Sequence, residues 1–178
     1  RPSDSRDYTL LDPTNAYPKK ELKNWRRHII LDKPVITVVV DEVSCAKGAE
    51  IEARFHSAVT QDIKDDYVLL NSDNGNMAVI PVVQGKYSIR PGSHAIMMAQ
   101  RNARFRRVPY FGTVTNARKE RTVIVTIILP VEDSAEAEGI VKSVKRSDNA
   151  GGLSLSFIKD GEKYSYSFRM GADGLVLE

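Results

Sequence analysis

The sequence predicts an all-β protein, an antiparallel β-sandwich of about ten to twelve strands. Three observations carry that expectation. Short apolar or strictly alternating runs recur along the chain, which is the pattern of strands. Gly, Asn, Asp and Pro signals separate those runs at short intervals, as turns do. No stretch sustains a 3.6-residue period long enough for a long helix. Strand number and turn spacing favour a sandwich over an open sheet. The absence of a fixed-period repeat argues against a propeller or solenoid.

Residues 1–24 are polar and irregular, spaced by Pro2, Pro13 and Pro18. Within them Tyr8 to Leu11 reads as a short strand, and Lys19 to Trp25 as one turn of helix. Asn24 to His56 reads as two long strands joined around Lys33-Pro34 and a third after Lys47-Gly48, with Asp41-Glu42 a charged hinge that interrupts the run. Val35 to Val40 is apolar at five of six positions, which suits a central strand covered on both faces. From Glu50 to His56 the pattern alternates. Ile51, Ala53 and Phe55 share one face, and Glu50, Glu52, Arg54 and His56 the other.

Asn71 to Asn76 reads as a loop before a strand from Met77 to Val83, and Gln84-Gly85 as a two-residue hairpin leading into Tyr87 to Arg90. Pro91-Gly92 breaks the chain before His94 to Ala99. Thr122 to Leu129 is a long apolar strand closed by Pro130, and Glu132 to Glu138 a solvated loop or one helical turn. The last quarter reads as a meander. Ile140 to Val144 is followed by a turn at Asp148 to Gly152 and by alternation through Leu153, Leu155 and Phe157. Asp160-Gly161 signals a type I′ hairpin; then Tyr164, Tyr166, Phe168 and Met170 share a face, and Ala172 to Gly174 turns into Leu175 to Leu177.

At 178 residues the chain reads as one domain, 1–178, able to bury roughly 70% of its unfolded surface. Apolar residues at 42% and charged residues at 28% are the balance of a soluble globular domain. No run approaches the ~18 apolar residues of a membrane-spanning helix, so no membrane is called as a partner. The formal charge of +3, from 26 basic and 23 acidic side chains, is too slight a bias to mark a nucleic-acid binder. The single Cys45 excludes an internal disulfide and any multi-cysteine metal site; it reads as a small side chain at a strand-to-turn junction. The three histidines lie far apart without metal-ligand spacing, so neither metal nor cofactor is expected. A chain that starts at Arg1 without an apolar leader reads as a piece of something longer.

No phosphate loop, dinucleotide fingerprint, nucleophile elbow or zinc-helix motif is present. His28, in Trp25-Arg26-Arg27-His28, is read first as an edge histidine bonded to backbone, and second as an active-site or sugar-contact residue, with Arg27 as a companion sugar contact. His56 beside Arg54 and Glu52 reads as part of a sheet-surface network. The strongest cluster is Arg101, Arg104, Arg106 and Arg107, interleaved with Phe105, Tyr110 and Phe111. Arginine forks pair with carboxylate and sulfate-like anions, and aromatic faces stack on sugar rings or bases, so acidic polysaccharide would satisfy both features, as would nucleic acid, which the slight net charge disfavours. The plain alternative is a strand and loop that arginines keep soluble. Lys142, Lys145 and Arg146 would extend such a patch if their strands neighboured it. Asp41 and Glu42 end an apolar run and need cationic partners if buried; Arg26 or Arg27, reaching across the hairpin, would supply an architectural one.

Four segments of residues 12–56 together resemble heparinase II/III-type polysaccharide lyases. They are Asp12-Pro-Thr-Asn-Ala-Tyr17, Trp25-Arg-Arg-His-Ile-Ile-Leu31, Lys33-Pro-Val-Ile-Thr-Val-Val-Val-Asp-Glu-Val43 and Glu52-Ala-Arg-Phe-His56. The resemblance implies a multidomain secreted or periplasmic enzyme that cleaves acidic polysaccharide by β-elimination, with an α/α toroid before a β-sandwich and the cleft between them. In that family the acid and base come mostly from the toroid, and one histidine from a Gly-His-x-His-like element early in the sandwich. No region here matches the toroid, and no His-x-His occurs. The chain thus looks like the C-terminal β portion without its catalytic set, inactive alone, and no catalytic residue is carried over. The residues singled out for substrate contact are Arg101, Arg104, Arg106, Arg107, Tyr110, Arg27 and His28. A free-standing carbohydrate-binding module and a structural or interaction domain without a ligand stand as the alternatives.

Overall fold

A computed structural model describes residues 6–98, 104–118, 121–149 and 151–178, with backbone alone at 96–98 and 104–106. In chain order the strands are β1 (Arg6–Leu11), β2 (Leu22–Asp32), β3 (Ile36–Cys45), β4 (Glu50–His56), β5 (Thr60–Ile63), β6 (Val68–Ser72), β7 (Gly75–Val83), β8 (Tyr87–Met98), β9 (Arg104–Asn116) and β10 (Thr122–Val131). Helix α1 (Ser134–Ser143) follows, then β11 (Lys145–Asn149), β12 (Gly152–Lys159), β13 (Glu162–Gly171) and β14 (Gly174–Leu177). The expected all-β architecture holds, with fourteen strands among the described residues. The chain divides into two compact units, Arg1–Pro130 and Val131–Glu178.

The first unit contains a seven-stranded sheet, ordered β1-β2-β3-β10-β7-β6-β5, and a three-stranded sheet, ordered β4-β9-β8. They face each other across an apolar layer. Val68 and Val79 from the large sheet close with Phe111 from the small one, and Phe55, Ile63, Leu70, Ile89 and Ile128 pack around them. Phe55 stacks on Phe111 at 5.8 Å between centroids. Its apolar run reads as it does because β3 is buried at consecutive positions, Val38, Val39 and Val40 among them, so both faces are covered.

Several local expectations are corrected. Asp41 and Glu42 do not interrupt β3, which runs through them to Cys45. Lys19 to Trp25 is not helical: a 3-10 turn lies earlier, at Thr14–Ala16, and β2 starts at Leu22. Its pairing with β3, Trp25 opposite Val43, outweighs a single helical turn, which is marginal alone. Gln84-Gly85 does not close a hairpin, since β7 and β8 belong to different sheets. Pro91-Gly92 does not break β8, because β8 is an edge strand where a missing N–H on the open side costs nothing. The loop expected over Asn71–Asn76 is a tight turn, with Ser72 paired to Gly75.

The second unit is the expected meander, ordered β11-β12-β13-β14. Leu153, Leu155 and Phe157 are buried together with Tyr166 and Phe168. Asp160 and Gly161 both take positive φ, +52° and +74°, as a type I′ turn requires. Glu132–Glu138, read as a loop or one helical turn, and Ile140–Val144, read as a strand, fall largely within the ten-residue α1. Asp133 caps this helix by accepting from the Glu136 amide at 2.9 Å, and Glu136 Oε2 accepts from the Glu132 amide at 2.6 Å. Ala137 and Ile140, one turn apart, are its buried residues. Ser143 Oγ accepts from the Ile158 amide at 2.9 Å, and Lys159 Nζ donates to Glu136 at 2.7 Å, so both tie the helix to β12.

Candidate functional site

Two features of the first unit have the chemistry of a binding site: a projecting ribbon and a groove beside β4. The ribbon arises from unequal pairing. β4 pairs with β9 only over Tyr110 to Asn116, whereas β8 continues pairing from Thr115 out to Arg104. Six residues of each strand, Ser93–Met98 and Arg104–Pro109, thus extend past the three-stranded sheet by about 20 Å.

The expected arginine cluster falls on this ribbon. Arg101 lies outside the described residues. Arg104 and Arg106 are placed by backbone, opposite Met98 and Ile96, and their side chains lie outside the description. Arg107 is exposed and donates from Nη1 to Ser93 Oγ at 3.0 Å. Tyr110 sits at the ribbon's base. Its ring lies over Gly92, its cross-strand partner, so closely that a Cβ at position 92 would collide with it. The Arg54 guanidinium lies 4.7 Å from the ring centroid, and His56 is 5.5 Å from it. Arg54 in turn donates from Nε to Glu52 at 2.6 Å. Burying little and carrying both charge signs, this face is a polar platform continuous with the ribbon.

The groove is a cavity of about 630 Å³ between β4 and the inner face of β2, β3 and β10. Trp25, Arg27, Asp41, Val43 and Ile124 form one wall, Tyr17, Glu21 and Leu22 overhang it, and Ala49 to Arg54 with His56 form the other. Arg27 is committed within that wall. Its Nε and Nη2 donate to the two oxygens of Asp41 at 2.7 and 2.9 Å, and Trp25 Nε1 adds a third bond at 2.8 Å. The guanidinium also lies 5.1 Å from the Trp25 ring, against which Tyr17 packs edge-on at 5.5 Å. This is the architectural pairing anticipated for Asp41.

His28 points to the opposite face of the sheet and is fully buried. Tyr8 Oη meets its Nδ1 at 2.9 Å, and Glu42 Oε2 lies 3.9 Å from Nε2. Glu42 is held by Arg121 at 2.8 Å. The structure therefore places Arg107 on the ribbon and Tyr110 at its base, on opposite faces of β9, puts Arg27 in the groove wall as the fixed partner of Asp41, and shields His28 from any ligand. In the second unit Lys142 faces Glu138 at 3.9 Å, and Arg146 is gripped by Asp148 at 2.8 and 2.7 Å. Sequence reading missed the groove, although the alternating Glu50–His56 strand and the lone Trp25 were its visible signals. Among the described residues no group of three or more His, Cys, Asp or Glu is arranged to hold a metal, and no helix is long and apolar enough to cross a membrane.

No family model matches the sequence, and no curated protein matches it. Solved structures do match in fold. A crystal structure of heparinase III superposes with a TM-score of 0.68 at 17% identity, covering 93% of this chain and 26% of that one. The heparan sulfate lyase HepC from Pedobacter heparinus gives 0.67 at 14% identity, covering 100% and 26%. A mutant of that lyase gives 0.69 at 14% identity, covering 97% and 27%. The chain spans about a quarter of the length of these structures, and both of its units fall within the matched region. The resemblance read from residues 12–56 thus meets a heparinase-like fold.

Proposed function

We propose that the chain is the C-terminal, noncatalytic β-sandwich module of a heparinase II/III-like polysaccharide lyase, and that it supports the substrate cleft and contacts anionic glycan through the β8–β9 ribbon. The observation that carries this reading is the match in fold over 93–100% of this chain against about 26% of heparinase III and HepC. It is supported by the motif order of residues 12–56, from the 3-10 turn at Thr14–Ala16 through β2, β3 and β4. On this reading an α/α toroid is the partner that completes the enzyme, acidic polysaccharide is the ligand, and the compartment is the periplasm or the extracellular space. Both units act as one module.

Arg104, Arg106 and Arg107, with Arg101, form the glycan contact, and Tyr110 offers a ring at its base. Charge-assisted hydrogen bonds contribute about 1.5–3 kcal/mol each, so Arg104→Ala combined with Arg106→Ala should weaken heparin binding by at least about tenfold and lower the salt concentration that elutes the chain from a heparin column. Unchanged elution would refute the ribbon contact. A lyase assay that follows the ultraviolet absorbance of the unsaturated product should show no turnover by this chain alone, and turnover would overturn the noncatalytic role.

A further inference from the structure

The groove opens on the edge of β4 rather than on either of its faces, because it is lined by consecutive residues of both parities, Ala49 through Arg54. β4 is the outer strand of its sheet. The Ala117 amide donates to the Ala49 carbonyl at 2.7 Å, and the Ser57 amide donates to the Pro109 carbonyl at 3.3 Å. With the unbroken register between β4 and β9, these bonds assign the odd positions 49–57 to the ladder with β9. The backbone N–H and C=O of Glu50, Glu52, Arg54 and His56 therefore point into the groove, with no strand partner among the described residues. An open row of backbone donors and acceptors is a template for another strand.

We propose that this groove takes an extended polypeptide segment, added antiparallel to β4 as a fourth strand of the small sheet, with apolar side chains facing Trp25, Val43 and Ile124 and charged ones facing out. Size agrees. A strand residue occupies about 160 Å³, from a rise of 3.3 Å, a strand spacing of 4.8 Å and a sheet spacing of 10 Å. The cavity of about 630 Å³ then holds about four residues, the span from Ile51 to Arg54. Charge specifies the partner further. Glu52 pairs with Arg54 and Glu50 with Arg90 along the exposed face of the small sheet, and opposite charges are also favoured directly across a ladder, so the segment should add basic residues opposite Glu50 and Glu52 and an acidic one opposite Arg54. Addition of a strand at an open sheet edge is an established mode of peptide capture.

The sequence of β4 meets these requirements itself. Turned antiparallel about Ala53, it sets Glu52 against Arg54, Glu50 against His56 and Ile51 against Phe55, with the even positions bonded to one another. A second folded copy does not fit, because its β4 arrives joined to β9, while the cavity of about 630 Å³ holds only about four strand residues. A free peptide with the sequence of residues 50–56 is therefore the probe.

Two reporters are built in, since Trp25 and Cys45 are the only tryptophan and the only cysteine of the chain, and both line the groove. The full chain should bind the capped peptide saturably, with a shift in Trp25 emission and at least tenfold slower alkylation of Cys45 by iodoacetamide. Methylating the peptide nitrogens opposite Glu52 and Arg54 should abolish both effects. In a chain carrying Glu52→Arg with Arg54→Glu, the peptide should bind at least tenfold more weakly, and a peptide with its own Glu and Arg exchanged should recover the loss. If that chain fails to fold, the methylated peptide on the unaltered chain decides. Equal protection by a scrambled or methylated peptide overturns the proposal, as does protection by a heparin tetrasaccharide and by no peptide. Neither result bears on heparin retention through the ribbon arginines, so the two readings fail separately.

Discussion

Arg27 and Asp41 face each other directly across β2 and β3, and their two-pronged pair, 2.7 and 2.9 Å, fixes the groove wall. Asp41 is 2% exposed and Arg27 24% exposed. That asymmetry makes the carboxylate dependent on its partner, because a buried charge left without its counter-ion costs about 3–5 kcal/mol. Arg27→Met should therefore lower unfolding stability by about that amount. Adding Asp41→Leu should recover part of it, since the double variant buries no uncompensated charge and leaves only the Trp25 N–H without its acceptor, at about 1–3 kcal/mol. Urea unfolding of the three variants checks this. A double variant less stable than Arg27→Met would contradict it.

Three glycines of the second unit should respond in opposite directions to one added methyl group. Gly152 has φ +153°, and a Cβ there would overlap the Phe168 carbonyl on the neighbouring strand. Nothing flexible can yield at that point, so Gly152→Ala should destabilise the unit by about 3 kcal/mol or more, combining backbone strain with overpacking. Gly139 lies on the exposed side of α1 with open space around its Cα. Gly139→Ala should stabilise the chain by about 0.5–1 kcal/mol, the difference in helix propensity. Gly161, at φ +74° in open space, should fall between, losing about 1 kcal/mol as alanine. Thermal unfolding of the three variants ranks them.

How much of this fold is legible in the sequence depends on how local its causes are. The I′ turn at Asp160-Gly161, the alternation of Leu153, Leu155 and Phe157, and the two-faced burial of β3 are written in neighbouring residues. Helix α1 was also written locally, as Asp133 followed three residues later by Glu136, a capping signal that the acidic composition of the segment obscured. The fate of Gln84-Gly85 was not local at all. Whether two strands close a hairpin or cross between sheets depends on partners beyond the turn itself, here distant β10 for β7 and the next strand, β9, for β8. The groove was hidden for the same reason. Glu52, Arg54 and His56 showed their alternation, but only the sheet order reveals that β4 is an edge and that Trp25 stands across from it.

Tyr87 gives the chain an alkaline limit. Burial raises its phenol well above the ordinary range, and the nearby Asp66 carboxylate, which accepts its hydroxyl at 3.0 Å, pushes in the same direction, with Asp65 adding to it. The folded state thus prefers the neutral phenol. A group whose folded pKa is raised contributes stability that is fully present below its unfolded pKa, about 10 for tyrosine, and is lost as pH rises past it. Unfolding stability should therefore fall as pH climbs above about 10, and Tyr87→Phe should flatten part of that slope. Denaturation midpoints between pH 8 and 11 measure it, and an unchanged slope in the variant would assign the loss to other groups.

Gly92 and Tyr110 should show a reversal of sign. They are cross-strand partners on β8 and β9, and the Tyr110 ring occupies the space a side chain at position 92 would need. Gly92 does not take a left-handed φ, so the backbone itself would accept alanine. In the unaltered chain Gly92→Ala should destabilise by about 1–3 kcal/mol, because the ring must move off its seat, and with it the cation–π contact to Arg54. In a Tyr110→Ala background the obstruction is gone. The same Gly92→Ala change should then be neutral or stabilising by up to about 1 kcal/mol, the usual gain from removing a strand glycine. If Gly92→Ala costs the same with and without the ring, the two residues are not coupled, and Tyr110 is not seated on Gly92 as the geometry has it. Heparin retention of the same four proteins adds a second reading. A displaced ring should weaken retention in Gly92→Ala as much as its removal does in Tyr110→Ala, while the double variant should be no weaker than Tyr110→Ala alone.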